Sequence, residues 1–366
     1  MAGRTKPLGV GIVGCGQIAE KSHLPALQRL REAHVVALAD TDPERLRRAG
    51  DSCGVERRYS NFRQLLDDGA VEAVAVLVPA RLHVEVALAA LEAGKHVLVE
   101  KPLALSLGEC DRLIACAERC ERVVLVGFNT RWHPLVRRTR DLVRSGAVGT
   151  PRMIRTTLAC RDQHVGDVPD WRKHRALGGG GLVDMAIHHF DLWRFLLERE
   201  VREVSAVLGS EEADDELGVV SAWMDGGVLA TASFVERTSV TQEVEVLGRA
   251  GRVEVSCYRF DGLHVVPLSR LPGSGRARLA EAANMLAGLP RALWRRTRRG
   301  DYGASFLGEW QHFIDCVRRG AQPECTLTDG RRALEIAIAA AQSDARGQAV
   351  RIADVPDEAP PRPARE

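Results

Sequence analysis

The chain reads as an α/β protein of two domains. A parallel sheet built by strand–helix–strand crossovers comes first, and a second α/β domain rich in antiparallel strands follows. Three observations predict this. A glycine motif follows a short apolar strand and opens a helix. Strand and helix then alternate up to about residue 129. Beyond that point short strands are separated by hairpin signals such as Asp225-Gly226-Gly227. A length of 366 residues suits two cores better than one.

The first strand, Leu8–Val13, runs into Gly14-Cys15-Gly16-Gln17-Ile18-Ala19, which fits G-x-G-x-x-G/A, and a helix is expected over residues 17–31. In that context Gly14 permits the tight turn, Gly16 lets a pyrophosphate approach the backbone, and Ala19 lets the helix lie close to the strand. Amides at the helix start, around Gln17 and Ile18, then face the phosphates. A second apolar strand, Val35–Ala39, ends in Asp40. An acid there accepts hydrogen bonds from the adenosine ribose and repels a 2′-phosphate, so NAD is favoured. Arg45, close behind, keeps NADP open.

Further helices are expected over 43–53, 61–68, 82–93 (closed by Gly94) and 107–119, with strands over 71–78, 95–99 and 123–128. The strand that ends in Val97-Leu98-Val99-Glu100-Lys101-Pro102 is unusual. Its apolar run stops at a carboxylate and an ammonium, where strands of α/β proteins meet ligands. Only five of the 51 basic residues are lysines, and Lys101 is one of them.

The totals narrow the partners. A net charge of +2 gives no footprint for nucleic acid. Nine cysteines, an odd number without a CxxC pair, suit free thiols in a reducing cytoplasm, and no metal site is expected. Met1–Pro7 has no apolar signal core, and no run is long enough to span a bilayer.

With GIVGCGQIA, ALADTDPERL, PARLHVEVALAALEAGKHVLVEKPLALS, GFNTRWHP and GGGGLVDMAIHHFDLWRFLL in this order, the chain resembles the Gfo/Idh/MocA oxidoreductases (glucose–fructose oxidoreductase, inositol dehydrogenase and rhizopine catabolism) over about residues 8–350. The resemblance implies an N-terminal Rossmann domain (1–129), then a C-terminal α/β domain with a large, mainly antiparallel open sheet used for oligomer contacts (130–350), and a tail (351–366). It implies NAD(P)-dependent oxidation or reduction of a sugar or cyclitol. It places Gly14, Gly16, Gln17, Ile18, Asp40, Pro79, His83, Glu100 and Lys101 at the cofactor. It places Asn129, Arg131, Trp171, Arg172, Asp184 and His188, with Lys101, at the substrate, and a cis bond before Pro102. The sequence departs from the family at Val78-Pro79-Ala80, where Thr-Pro-Asn is common.

In the second half, a helix is expected to begin within Gly181–Val183. Asp184 and His188, four apart, share a face, with Asp191 near the same stripe and His189 turned away. A carboxylate one turn from an imidazole suits a proton acceptor with an orienting partner. Lys101, Asp184 and His188 are therefore the expected catalytic set, with the base open between Lys101 and His188. Gly178–Gly181 offers either close backbone approach to a substrate or a flexible loop. Lys173-His174-Arg175 offers either a rim for a phosphorylated or nucleotide-linked sugar or a solvated surface. Strands are expected over 152–159, 204–208, 219–224, 228–235, 242–247 and 252–256, and helices over 306–318 and 329–345, the latter capped by Thr328 or Asp329. Leu279–Arg299 is a leucine stripe broken by Pro290 that ends in Arg291, Arg295, Arg296, Arg298 and Arg299 around Trp294. It reads as a solvated insertion that covers the site or an interface, with contact to a membrane surface or an anionic substrate as the alternative. Two other functions fit the same motifs: a glycosidase using transient NAD oxidation, and a nonenzymatic dinucleotide-binding regulator.

Overall fold

The computed structural model describes residues 6–160, 169–258, 262–269 and 300–360, with isolated positions between 275 and 290. The Arg291–Arg299 segment lies outside the described residues. The chain divides into two compact units, and the division is not one cut. Residues up to Asn129 are joined by Ser305–Leu334 in the first unit, and Thr130–Ala304 by Glu335 onward in the second.

The first unit holds six parallel strands: β1 (Leu8–Val13), β2 (Ala33–Ala39), β3 (Arg58–Tyr59), β4 (Ala73–Val76), β5 (His96–Glu100) and β6 (Val124–Gly127). Their order is β3-β2-β1-β4-β5-β6, so the winding reverses between β1 and β4. β1 and β4 are buried throughout, as a parallel sheet covered on both faces requires. Helices α1 (Leu24–Leu27), α2 (Pro43–Cys53), α3 (Phe62–Asp67), α4 (His83–Glu92) and α5 (Leu107–Cys120) fall in the crossovers. Side chains cap them where the sequence offers an oxygen. Asp42 accepts from the amides of Glu44 and Arg45, Asn61 from Arg63, and Ser106 from Glu109.

The first helix departs from expectation. It opens as a π-helical turn over Ala19–His23 and ends at Leu27 rather than Arg31. Pro25 has no N–H to close the ordinary bond to Lys21, and a widened turn accommodates that loss. Helix α8 (Gly300–Arg319) follows in chain order, then α9 (Leu327–Arg346), which starts in the first unit and continues in the second. The cap of α9 is Thr326, not Thr328 or Asp329. Its Oγ1 accepts the Asp329 amide at 3.2 Å, while Asp329 Oδ2 accepts the Thr326 amide at 2.8 Å.

The second unit is an eight-stranded sheet ordered β13-β12-β11-β7-β10-β9-β8-β14. Its strands are β7 (Pro151–Ala159), β8 (Val201–Gly209), β9 (Leu217–Met224), β10 (Val228–Val235), β11 (Thr241–Gly248), β12 (Gly251–Ser256), β13 (Leu263–Pro267) and β14 (Val350–Arg351). β7 and β10 pair parallel, and every other pair is antiparallel. β13 and β14, short edge strands, were not expected from sequence. Burial alternates residue by residue along β10, so one face meets the core. Helices α6 (Pro134–Arg144) and α7 (Ile187–Leu197) and the later turns of α9 pack there, around Phe190, Trp193, Leu196 and Phe234. Trp193 spends its indole N–H on Thr156 Oγ1 at 3.0 Å. Where β14 no longer covers the edge of β8, Ser343 Oγ and Asp344 Oδ1 accept the amides of Ala206 and Leu208.

Candidate active site

In the first unit the glycine loop leaves β1 at the point where strand order reverses, where ligands of open α/β sheets bind. Gly14 has φ +98°, and a Cβ there would stand 2.5 Å from the Leu77 carbonyl oxygen, so only glycine fits. At Gly16 a Cβ would meet nothing within 4 Å. That open side is what a pyrophosphate needs. Gln17 is exposed and Ile18 half-buried. Asp40 reaches back to the loop. Its Oδ2 accepts the Cys15 amide at 2.7 Å, and its Oδ1 accepts the Asp42 amide at 2.8 Å. The acid expected at the ribose thus also ties the second strand end to the glycine loop. The Cys15 thiol is buried, and burial, with Asp40 beside it, pushes its pKa up to about 12.

Glu100 and Lys101 end β5, and the Lys101–Pro102 bond is cis. Glu100 is buried; its Oε2 accepts the Lys101 amide at 3.0 Å and its Oε1 lies 2.9 Å from His23 Nε2. Lys101 is half-buried, as is Pro79. His83 is 2% exposed. Its Nδ1 lies 2.7 Å from the Pro102 carbonyl and its Nε2 2.8 Å from that of Val78. It braces the turn after β4 against the turn after β5. Asn129 is buried and donates through Nδ2 to Ser305 Oγ at 3.1 Å.

In the second unit Asp184 sits in a π-helical turn, Leu182–Ala186, that leads into α7. Asp184 Oδ2 accepts from Arg172 Nε at 2.9 Å and Nη2 at 2.7 Å. The carboxylate raises the guanidinium pKa, so Arg172 stays charged. His188 is half-buried, and its Nδ1 lies 3.4 Å from Thr130 Oγ1. Trp171 is half-buried in the same short segment as Arg172. Asp191 is buried against Arg131, with Nε–Oδ2 at 2.8 Å and Nη2–Oδ1 at 2.5 Å, and Phe195 lies under the guanidinium. Arg131 is therefore a clamp that holds Thr130 and α7 together. His189 is buried on the far side, its pKa pushed down to about 3 by burial.

The glycine run is neither loose nor arbitrary. A Cβ at Gly179 would stand 2.2 Å from the Arg172 carbonyl oxygen, and one at Gly181 2.1 Å from that of Asp215. Gly179 lets the Arg172 segment, and Gly181 the Asp215 segment, lie directly on the run that leads into the turn carrying Asp184. The basic run is not an open rim either. Arg175 turns inward to Asp215 and the Pro360 carbonyl, and His174 faces Asp170 and Asp214.

Sequence reasoning did not find His23, Thr130, Glu309 or Trp310. The partners of His23, Thr130 and Trp310 lie far off along the chain, up to 287 positions away, and no local pattern marks these residues or Glu309.

A reversing parallel sheet with a glycine loop at the switch point, an acid after β2 and a lysine after β5 defines a nicotinamide-dinucleotide oxidoreductase. Comparison with known proteins agrees. The family model for the oxidoreductase family with an NAD-binding Rossmann fold (GFO_IDH_MocA) matches residues 8–128, and the GFO/IDH/MocA C-terminal domain model matches residues 136–254. The chain belongs to this family. It is similar to the myo-inositol 2-dehydrogenase of Thermotoga maritima, 30% identical over 94% of this chain and 99% of that one. It is similar to the dTDP-3,4-didehydro-2,6-dideoxy-α-D-glucose 3-reductase of Actinomadura kijaniata, 31% identical over 68% of this chain and 71% of that one. Among solved structures, a probable dehydrogenase from Thermotoga maritima superposes with a TM-score of 0.78 at 28% identity, covering 95% of this chain and all of the other. The protein is an oxidoreductase of this NAD-binding family. No helix among the described residues is long and apolar enough to cross a membrane.

Proposed function

We propose that the protein transfers hydride between nicotinamide and a CH–OH/C=O pair of a sugar or cyclitol, with NAD as the preferred cofactor. The observation that carries this reading is the near full-length likeness to a myo-inositol 2-dehydrogenase, combined with the presence of Lys101, Asp184 and His188 in this chain. Held by the glycine loop at Gly14 and Gly16 and by Asp40, bound NAD⁺ would supply the hydride acceptor for the substrate C–H in the oxidative direction. The O–H proton passes to His188, and a carbonyl and NADH result. Lys101 donates a hydrogen bond to the reacting oxygen and stabilises its developing negative charge. Thr130 orients the imidazole, and Arg172 fixes the Asp184 carboxylate for a neighbouring substrate hydroxyl. Asp40 receives the adenosine ribose.

With Arg175 turned inward to Asp215 and His174 facing Asp170 and Asp214, the rim expected for a phosphate is largely spent on the chain's own carboxylates. An uncharged sugar or cyclitol is therefore preferred over a sugar phosphate. The free cysteines suit a reducing cytoplasm. We also propose a homo-oligomer. Val207 and Val219 pair across β8 and β9 with 68% and 56% exposure, and Leu217 and Trp223 extend the patch.

The test is NADH formation, followed by absorbance, across inositols, free sugars, sugar phosphates and nucleotide sugars with both cofactors. Net NADH from an uncharged polyol supports the reading. Glycoside hydrolysis without net NADH, or turnover of sugar phosphates alone, would refute it.

A further inference from the structure

Helix α8 buries an acid without a partner. Glu309 is fully buried, and neither carboxyl oxygen has a hydrogen-bond partner among the described residues. It lies three residues after Phe306 and four before Phe313, on one face of the helix. That face packs on His23. The Phe306 ring stands edge-on to the imidazole at 5.0 Å, and the Trp310 ring at 5.9 Å.

These neighbours decide where protons sit. Trp310 Nε1 carries a hydrogen and only donates; it lies 3.1 Å from His23 Nδ1. Nδ1 is therefore the accepting nitrogen, and the imidazole hydrogen is on Nε2. From there it is given to Glu100 Oε1 at 2.9 Å. Glu100 Oε2 takes the Lys101 amide at 3.0 Å. Each Glu100 oxygen thus receives a hydrogen from a neutral donor, which suits a carboxylate. Glu100 is also the charge that acts on Glu309. His23 reaches Glu100 from the π-helical turn, and Lys101 follows it at the end of β5. Two buried anions that act on one another repel strongly. Glu100 has donors and Glu309 has none, so the proton belongs on Glu309. Burial acts in the same direction, raising its pKa well above 4.5.

We propose that Glu309 is held as a neutral carboxylic acid and is a positioning residue that acts through Glu100 on Lys101. While Glu309 keeps the proton, Glu100 stays a pure acceptor and holds the Lys101 amide and the His23 N–H together. An ionised Glu309 would set a second buried, unpartnered anion against Glu100, and the repulsion would bear on the turn that Glu100 ties to His23 and to the Lys101 amide. The importance for turnover rests on the proposed role of Lys101; the protonation state does not.

The experiment is infrared spectroscopy of the full-length protein, wild type against Glu309→Gln, at neutral pH. The expected result is a carboxylic-acid carbonyl band in the wild type that the variant lacks. A difference confined to the carboxylate region would overturn the proposal. In Glu100→Gln the acid band should titrate at lower pH, because the neighbouring charge is gone; an unmoved midpoint would refute the coupling. In turnover, Glu309→Gln should stay within about twofold of wild type, while Glu309→Ala should lose about tenfold in kcat with NAD affinity retained. Equal loss in both variants would also overturn it. The infrared readout needs no substrate, so it stands apart from any failure to find one.

Discussion

Asp40→Ala tests how one carboxylate serves both the loop and the cofactor. In the structure Asp40 accepts two backbone amides, from Cys15 at 2.7 Å and Asp42 at 2.8 Å. Alanine removes both acceptors and the charge that would meet the ribose hydroxyls. A hydrogen bond to a charged group contributes about 1.5–3 kcal/mol. Loss of one ribose bond therefore weakens NAD binding roughly 10- to 150-fold. Loosening of the Cys15 amide adds to that. NADP gains in relative terms, because the carboxylate no longer repels its 2′-phosphate. Asp40→Asn separates the two roles: one amide acceptor remains for the loop, but the charge is gone. Titration calorimetry with NADH and NADPH measures both affinities in each variant. The preference should move toward NADPH by about tenfold or more in Asp40→Ala. An unchanged NADH/NADPH ratio in both variants would refute the ribose contact, whatever happened to stability.

Lys101→Ala and His188→Ala should each lower kcat by about a hundredfold or more while NAD affinity stays within a few-fold, measured by steady-state kinetics and cofactor titration; full activity in either variant removes that residue from the mechanism. Asp191→Ala leaves the Arg131 guanidinium, 4% exposed, without its carboxylate, and should cost about 3–5 kcal/mol in urea unfolding. A loss under about 1 kcal/mol would mean the guanidinium finds another acceptor. Cys15 binds its proton more tightly folded (about 12) than unfolded (9.0), so the native state holds the extra proton between these values. Stability present below pH 9.0 should fall as pH rises toward about 12, and the native thiol should resist iodoacetamide near neutral pH by mass spectrometry. Rapid alkylation of Cys15 in the folded protein would contradict its burial.

Much of the fold was legible because its signals are local. The strand–glycine–helix–acid pattern from Leu8 to Asp40 depends on neighbours within a turn or a strand, and the structure places β1, the loop and β2 as the pattern requires. The length of the first helix was not legible, because the apolar period continues past Leu27 while the amides of Arg29 and Leu30 turn back only three residues, to Ala26 and Leu27. The edge strands β13 and β14 were missed for another reason. Two to five residues at a sheet edge carry too little alternation to stand out.

The site divides in the same way. Sequence by itself determined which residue types stand at strand and helix ends: Gly14 and Gly16, Asp40, Lys101, and Asp184 with His188. Those positions follow from periodicity and from the geometry of a crossover, both set by nearby residues. Only tertiary structure decided what each side chain touches. It turned His83 into a brace between two carbonyls, gave Asp184 to Arg172, buried Arg131 on Asp191, and brought His23, Glu100, Glu309 and Trp310 into one cluster. A buried charge or hydrogen-bonding group must find its partner wherever packing brings one, and chain separation leaves no trace of that in a linear pattern.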